Sequence, residues 1–595
     1  MLFVVLSFGA MAQNDTEFWF GAPENETNNN SRDQPIYIRV ATFNSPATVT
    51  LSQPARSSFV PMITNIPANG NYTFDLSAFK SVIETQPQNQ PLNYGIRLVS
   101  TAPVTAYYEQ SSLSNPDIFT LKGKNALGTR FIIPSQTAYY NSQRNDLGGP
   151  KYFWFVIVAT DNNTHITIVP TKAIDGHAAN VPFNITLQKG QTYSCRTTGQ
   201  SPAEHPAGTL VTSDKPIAVT INDDSVCQCQ SCSTVGPDLV GDQLISSSIY
   251  GKEYILVKGY FTDSNFPNGP TDHVYIYADS ANTVVTINGT AYSPIGQGQF
   301  IDFMFGVNNA AYLSSTKPVE VFHLSGSNAQ PAGAVIPPIE CTGSNEIVFT
   351  KSISGGSFGL ILFTRAGNEN FFTVSSPQPS NFSIPGSSFQ VVPNTGGQWL
   401  YYRNNSITPQ VVENNAYRVS NSAGLFHLGV LYGESSSNAR YGFYSNFASL
   451  NLGPDQTICP GDSILLDAGA GKDSYFWSPG GQTTHNIWIK NPGTYSVYVT
   501  DYMCQYSDTM VLAHYPVAPI NLGPDTAICT GTTITLDAGA GFSVYSWSNG
   551  GHNRTTTVGP GTYTVTASIA GSCNSMDTII IGSQPLPTPV PIRHN

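Results

Sequence analysis

Apolar and polar residues alternate in short runs along most of the chain, a two-residue period that puts one side of each segment in a core and the other in water. Thr494-Tyr-Ser-Val-Tyr-Val499 and Thr562-Tyr-Thr-Val-Thr-Ala567 show the pattern plainly, with Gly-rich turns on either side. The pattern predicts an all-β protein of tandem, antiparallel β-sandwich-like units.

Repetition sets the organisation. Asn451-Leu-Gly-Pro-Asp-Gln-Thr-Ile-Cys459 recurs as Asn521-Leu-Gly-Pro-Asp-Thr-Ala-Ile-Cys529, and Leu466-Asp-Ala-Gly-Ala-Gly471 recurs as Leu536-Asp-Ala-Gly-Ala-Gly541. Trp477 matches Trp547 and Cys504 matches Cys573, so two small modules are expected at 449–516 and 517–582, followed by a Pro-rich linker or truncated tail at 583–595. A looser echo runs upstream: Ser100-Thr-Ala-Pro103, Ser213-Asp-Lys-Pro216, Ser315-Thr-Lys-Pro318 and a degenerate Ser422-Ala-Gly. Each reads as a turn followed by an apolar strand, with Pro where it costs no ladder hydrogen bond. Four related units follow within 13–448, at roughly 14–115, 116–225, 238–330 and 340–448.

Composition narrows the setting. Charged residues make up 11% of the chain, against roughly 25% in an average soluble domain. The net charge is −12 without a run of Lys or Arg, which removes the electrostatic basis for nucleic-acid binding. Residues 1–12 form an apolar run ending in Ala10 and Ala12, the small-residue spacing of a signal-peptide cleavage site. No later stretch is long and apolar enough for a membrane helix. The expectation is a secreted or cell-surface chain, with surface attachment through a C-terminal tail beyond this sequence.

Candidate chemistry is sparse. Gly355-Gly-Ser-Phe-Gly359 satisfies G-x-S-x-G, but apolar strand patterns flank it on both sides, so it reads as a hairpin loop instead of a nucleophile elbow. His323 and His427 occupy matching places on apolar strands and read as core or edge residues. Trp477 and Trp547 read as core residues of small sandwiches. Asp223, Asp224, Asp238 and Asp242 lie within twenty positions, and their convergence would suit calcium, a hard cation that takes oxygen ligands; carboxylates bonding their own turns are the competing reading. No catalytic residue and no organic cofactor is assigned.

There are nine cysteines. Matching positions in the two repeats give Cys459–Cys504 and Cys529–Cys573, one disulfide in each module. Cys195, Cys227, Cys229, Cys232 and Cys341 read as further disulfides, with one thiol left over or one bridge to another chain.

The opening Leu-Gly-Pro-Asp, the Trp-Ser strand and the Pro-Gly-Thr-Tyr strand make the two C-terminal modules similar to PKD-like and immunoglobulin-like modules of large Bacteroidetes surface proteins, which implies a spacer role. Upstream, Thr16-Glu-Phe-Trp-Phe-Gly, Ala126-Leu-Gly-Thr-Arg-Phe-Ile-Ile, Asp223-Asp-Ser225, Asp238-Leu-Val-Gly-Asp-Gln243 and Tyr250-Gly-Lys-Glu-Tyr-Ile-Leu-Val resemble the N-terminal domain of the IgG Fc-binding protein family. That resemblance implies a non-enzymatic adhesion or ligand-binding protein whose partner is an extracellular protein or glycan. The alternative is a secreted carbohydrate-binding or polysaccharide-processing protein.

Overall fold

The computed structural model describes residues 15–586, apart from 26–32, 112–114, 144–148, 228–237, 262–271, 329, 341, 352–356, 377–381, 406, 408–410, 434–438, 448–449, 451, 453–454, 470–471, 502–503, 516–518 and 569–572. The fold is all-β and multi-domain, with two compact bodies: one built from the four upstream units, the other from the C-terminal modules. The segment read as a signal peptide lies outside the described residues.

Each upstream unit is organised by one long strand. In the first unit this is Ile96–Gln110, in the second Thr209–Cys227 and in the third Ala310–Asn328. The early part of Ile96–Gln110 pairs with Asp15–Phe20 and Ala47–Ser52, and the later part with Ile36–Thr42 and Asp117–Thr120. Equivalent changes of partner occur in the second and third units. The change falls at the repeated Ser-x-x-Pro. The serine hydroxyl donates to the carbonyl two residues on, at 2.6 Å from Ser100, 2.7 Å from Ser213 and 2.8 Å from Ser315. The proline follows, where the ladder is interrupted. The motif is therefore a bend inside a continuous strand, not the turn before a strand that its composition suggests. In the fourth unit the proline is missing and the strand breaks into Ala416–Asn421 and Phe426–Gly433, which belong to separate sheets.

After its long strand each unit adds a short return strand: Asp117–Thr120, Asp238–Gln243, Gln330–Val335 and Arg440–Phe443. These complete the sheets of the units that precede them, so the first two boundaries fall after them, at about 120 and 243, instead of before, and the third falls at about 335. All four return strands are buried and pack in a closed circuit, first on second, second on third, third on fourth and fourth on first. Three carry a glycine at the contact. A Cβ on Gly241 would stand 2.5 Å from the Phe119 ring, on Gly333 2.7 Å from Val240 Cγ1, and on Gly442 2.7 Å from Thr120 Cγ2. Absence of a side chain is what lets these strands approach. The apolar cores run through the circuit: one cluster spans the second, third and fourth units, and another joins Tyr107 and Ile118 of the first to the fourth.

Each C-terminal module pairs its opening strand in parallel with its last strand, Gln456–Ile458 with Cys504–His514 and Thr526–Cys529 with Asn574–Gln584. This register overturns the expected cysteine pairing. Cys529 stands opposite Gln584, whereas Cys573 precedes the other end of that eleven-residue strand, a separation of about 33–37 Å at the usual rise per residue. Ile458 likewise stands opposite His514, at the far end of its strand from Cys504. No disulfide can close within a module. Cys459 pairs instead with Cys573 of the next module, with Cα atoms 5.4 Å apart. The reason is continuity. Cys459 lies where the first module hands on the chain, with Tyr515 N–H donating to the Ile458 carbonyl at 3.0 Å. Cys573 lies where the second module receives it, with Ile520 N–H donating to Ser575 Oγ at 3.2 Å. Cys529 is a free thiol, and the Cys504 side chain lies outside the described residues.

Candidate functional site

The four aspartates singled out in the sequence are all buried, but they do not converge. Asp223 and Asp224 are consecutive on a strand and serve different networks, as the alternation of a strand requires. Asp223 accepts from Gln136 Nε2 at 2.8 Å and from Asn141 Nδ2 at 2.6 Å, with His205 Nδ1 3.8 Å away. Burial pushes its carboxyl above the usual range and His205 opposes this. Asp224 accepts from Asn115 Nδ2 of the first unit at 2.7 Å and from Ser225 Oγ at 2.9 Å.

Asp238 and Asp242 belong to the circuit of return strands. Ala439 N–H of the fourth unit donates to Asp238 Oδ2 at 2.9 Å, and Val335 N–H of the third donates to Asp242 Oδ2 at 3.0 Å. Thr120 of the first unit donates from Oγ1 to Asp242 Oδ1 at 3.2 Å, and Lys122 just beyond it, itself fully buried, donates from Nζ to the same oxygen at 2.7 Å and to the Thr120 carbonyl at 3.2 Å. Burial raises the Asp242 carboxyl and lowers the Lys122 amine, each resisted by the other. One carboxylate thus ties three units together. Among the described residues no three His, Cys, Asp or Glu side chains form a set that could hold a metal ion, so the calcium site expected from Asp223, Asp224, Asp238 and Asp242 is replaced by separate structural links. The oxygens a cation would need are already occupied by protein donors.

Sequence reasoning passed over Asp117 and Lys122. Asp117 opens the first return strand as Asp238 opens the second, and it accepts from Tyr441 N–H and Gly241 N–H, each at 3.2 Å. Its carboxyl is raised well above the usual range by burial, with Asp238 adding to the shift. The matching positions in the repeats carried that signal; Lys122 carried none. Glu109, also buried, lies 2.5 Å from Arg39 Nε and 3.3 Å from Arg440 Nε, joining the first and fourth units.

The other candidates fall into place as structure. Ser357 begins the strand Ser357–Arg365, pairing with Gly433, so no strand–turn–helix elbow is centred on it; Gly355 and Gly356 lie outside the described residues. His323 and His427 are buried, and burial pushes His427 down to about 3. Trp477 and Trp547 are core residues whose indole N–H groups donate to the carbonyls of Thr484 and Asn553, both at 2.8 Å. Cys195 is a buried free thiol and Cys227 is disulfide-bonded, whereas Cys229, Cys232 and Cys341 lie outside the described residues. A cleft of about 450 Å³ opens where the first and fourth units meet, lined by Thr42, Asn69, Val348, Ser375, Ala416 and Arg418. Arg418 is held there by Glu346 at 3.0 Å and by Asn69. No helix among the described residues is long and apolar enough to cross a membrane.

These features define a multi-unit β scaffold in which buried Glu109, Asp117, Asp238 and Asp242 join neighbouring units. The model of the family described as IgGFc binding protein matches residues 117–430, from the first return strand into the last long strand, and the chain belongs to that family. No curated protein matches the chain. Among solved structures, the titin domains Z1Z2 in complex with telethonin align at 16% identity over 22% of this chain and 94% of that one, with a TM-score of 0.12. Extracellular domains 3–5 of Drosophila OTK align at 10% identity over 40% and 91%, with a TM-score of 0.14. The N-terminal eight immunoglobulin domains of DSCAM align at 9% identity over 96% and 74%, with a TM-score of 0.16.

Proposed function

We propose that the four-unit body is an extracellular, non-enzymatic binding body that recognises a protein ligand, and that the two PKD-like modules space it from the surface of a bacterial cell. The observation that carries this reading is the family match over residues 117–430, which include three of the four return strands of the closed circuit. Asp223, Asp224, Asp238 and Asp242, the acids the sequence offers for a metal centre, are engaged by protein donors, which supports recognition by the outer surface. The family's name makes immunoglobulin Fc the first ligand to test. Full-length chain immobilised on a sensor should bind a protein ligand from a panel that includes Fc, with no turnover of peptides, esters or polysaccharides. Hydrolysis abolished by a single carboxylate or serine substitution would replace the binding reading with an enzymatic one.

Carbohydrate contact is a second reading, favoured by one feature of the first module. Trp488, Phe476 and Tyr498 are 70%, 54% and 56% exposed there, whereas the matching positions of the second module carry Thr557, Ser546 and Thr566. Exposed aromatic faces suit stacking on sugar rings. A glycan array with the full chain and with Trp488→Ala separates the readings.

A further inference from the structure

A second buried charged group lies inside the first unit. Lys80 opens the short helix Lys80–Ile83 and Glu84 caps its end, four positions on, so the two share one helix face. Glu84 bridges to Ala22, and Thr85 N–H donates to the Ala22 carbonyl at 2.9 Å, which brings Glu24 against Glu84. Asp33 comes from the other side. It leads into the strand Ile36–Thr42, which is fastened to the same turn by Ile36 N–H donating to Ser77 Oγ at 3.1 Å and Leu76 N–H donating to the Ile36 carbonyl at 2.8 Å. Lys80 Nζ and Asp33 Oδ2 are in direct contact.

All four side chains are buried, with exposures of 5% for Lys80, 1% for Glu24 and 0% for Asp33 and Glu84. Among the described residues, Lys80 Nζ has no hydrogen-bond acceptor besides Asp33, no other group donates to either Asp33 oxygen, and the two glutamate side chains have only each other. This sets the pair apart from Lys122 and Asp242, whose polar atoms are shared among several further partners. A buried ammonium and carboxylate without supporting hydrogen bonds are costly as ions. Condensing them removes both charges.

We propose that Lys80 and Asp33 are joined by an amide bond from Nζ to Cγ, formed by the folded chain with Glu84 and Glu24 as its proton relay. Lys80 passes a proton to the glutamate pair and its free amine attacks Asp33 Cγ. The C–N bond forms, the bond from Cγ to one carboxyl oxygen breaks, and that oxygen leaves as water with two protons that began on nitrogen. Ammonium plus carboxylate gives a neutral amide plus water, so the step needs no oxidant or other co-reactant. Burial supports the relay by pushing Glu24 up to about 7 and Glu84 well above the usual range, against the pull of Lys80; Asp224 and Lys151 are the other charged groups facing Glu24. Proton carriers of that kind are poised near neutral pH.

Intact-mass spectrometry of the reduced full chain tests the bond. The expected mass is below that of the sequence by one water molecule. After tryptic digestion, one branched peptide should contain Asp33 and Lys80, with no cleavage after Lys80. Lys80→Arg should restore the full mass after allowance for the substitution, and Glu84→Gln should do the same by disabling the relay. Wild-type chain at full mass with separate linear peptides around positions 33 and 80 overturns the proposal, as does water loss located elsewhere. A Glu84→Gln chain that still forms the branched peptide overturns the relay.

Discussion

Asp223 and Asp224 are adjacent in sequence and serve different sets of partners, and that contrast shows what a sequence yields about single residues. Acid-rich stretches are visible in one dimension, but whether carboxylates converge depends on strand alternation and on partners such as Asn115, Gln136 and Lys122 from distant segments. Burial was legible for Trp477, Trp547, His323 and His427 because each sits in an apolar strand pattern. It was not legible for Lys122, which is followed by Gly123, Lys124 and Asn125 and reads as the start of a polar loop. Since Asp242 replaces water and cation with protein donors, a chelator is expected to leave the melting temperature unchanged, whereas Lys122→Met alone should cost about 3–5 kcal/mol by leaving a buried carboxylate unpaired. Urea denaturation measures it; a loss under about 1 kcal/mol would show that the pair is not a structural link. Glu24 gives a pH dependence. Its folded pKa, about 7, lies above its ordinary value of 4.5, so the folded state binds more protons. The stability it confers is complete below about pH 4.5 and is lost as the pH rises through 7. The loss is on the order of 3 kcal/mol between pH 4.5 and 8, and Glu24→Gln should flatten that part of the profile. An unchanged slope in the variant would assign the effect to another group.

At the scale of elements, composition recovered the strands and the repetition but misjudged how strands are joined. Ser-x-x-Pro has the chemistry of a turn, and only the pairing of residues on both sides shows it to be a bend that moves one strand between two sets of neighbours. The first two return strands, Asp117–Thr120 and Asp238–Gln243, were placed in the units that follow them for a related reason. They follow loops, and a loop looks like a boundary whichever unit its next strand completes. The glycines of the return strands carry a clear consequence. A methyl group at Gly241 would meet both the Phe119 ring and the Ile221 carbonyl oxygen at 2.5 Å, and the backbone atom cannot rotate aside. Gly241→Ala is therefore expected to lower stability by about 1–3 kcal/mol, read as a reduced urea midpoint with little change in slope. A variant as stable as the parent would mean that the strands have room to separate.

For the whole molecule, the two-repeat comparison showed which residues match without showing which end of a module each occupies, and so led to disulfides within modules. Parallel pairing of first and last strands decides the matter: the cysteines of one module lie at opposite ends, and a bond can form only to the neighbour. Non-reducing peptide mapping should recover Cys459 linked to Cys573; recovery of Cys459 with Cys504 would restore the arrangement within modules. The four upstream units pose the corresponding question about cooperation. Repeats that touch only their neighbours in a line unfold piecemeal, because each interface can open alone. Here the circuit is closed, Leu239 of the second unit enters the core of the first, and a single apolar cluster runs through the second, third and fourth units. Opening any one unit would leave Asp117, Asp238 or Asp242 buried without a donor on the neighbouring unit, at a cost of about 1–3 kcal/mol or more for each. The four units are therefore expected to melt as one cooperative block in calorimetry of the full chain. Gly442→Val, whose nearest neighbours Thr120 and Ile118 both belong to the first unit, crowds the contact between the fourth and first units and should move that whole transition downward. Separate transitions for individual units, or a shift confined to part of the block, would show that the circuit closes without coupling its members.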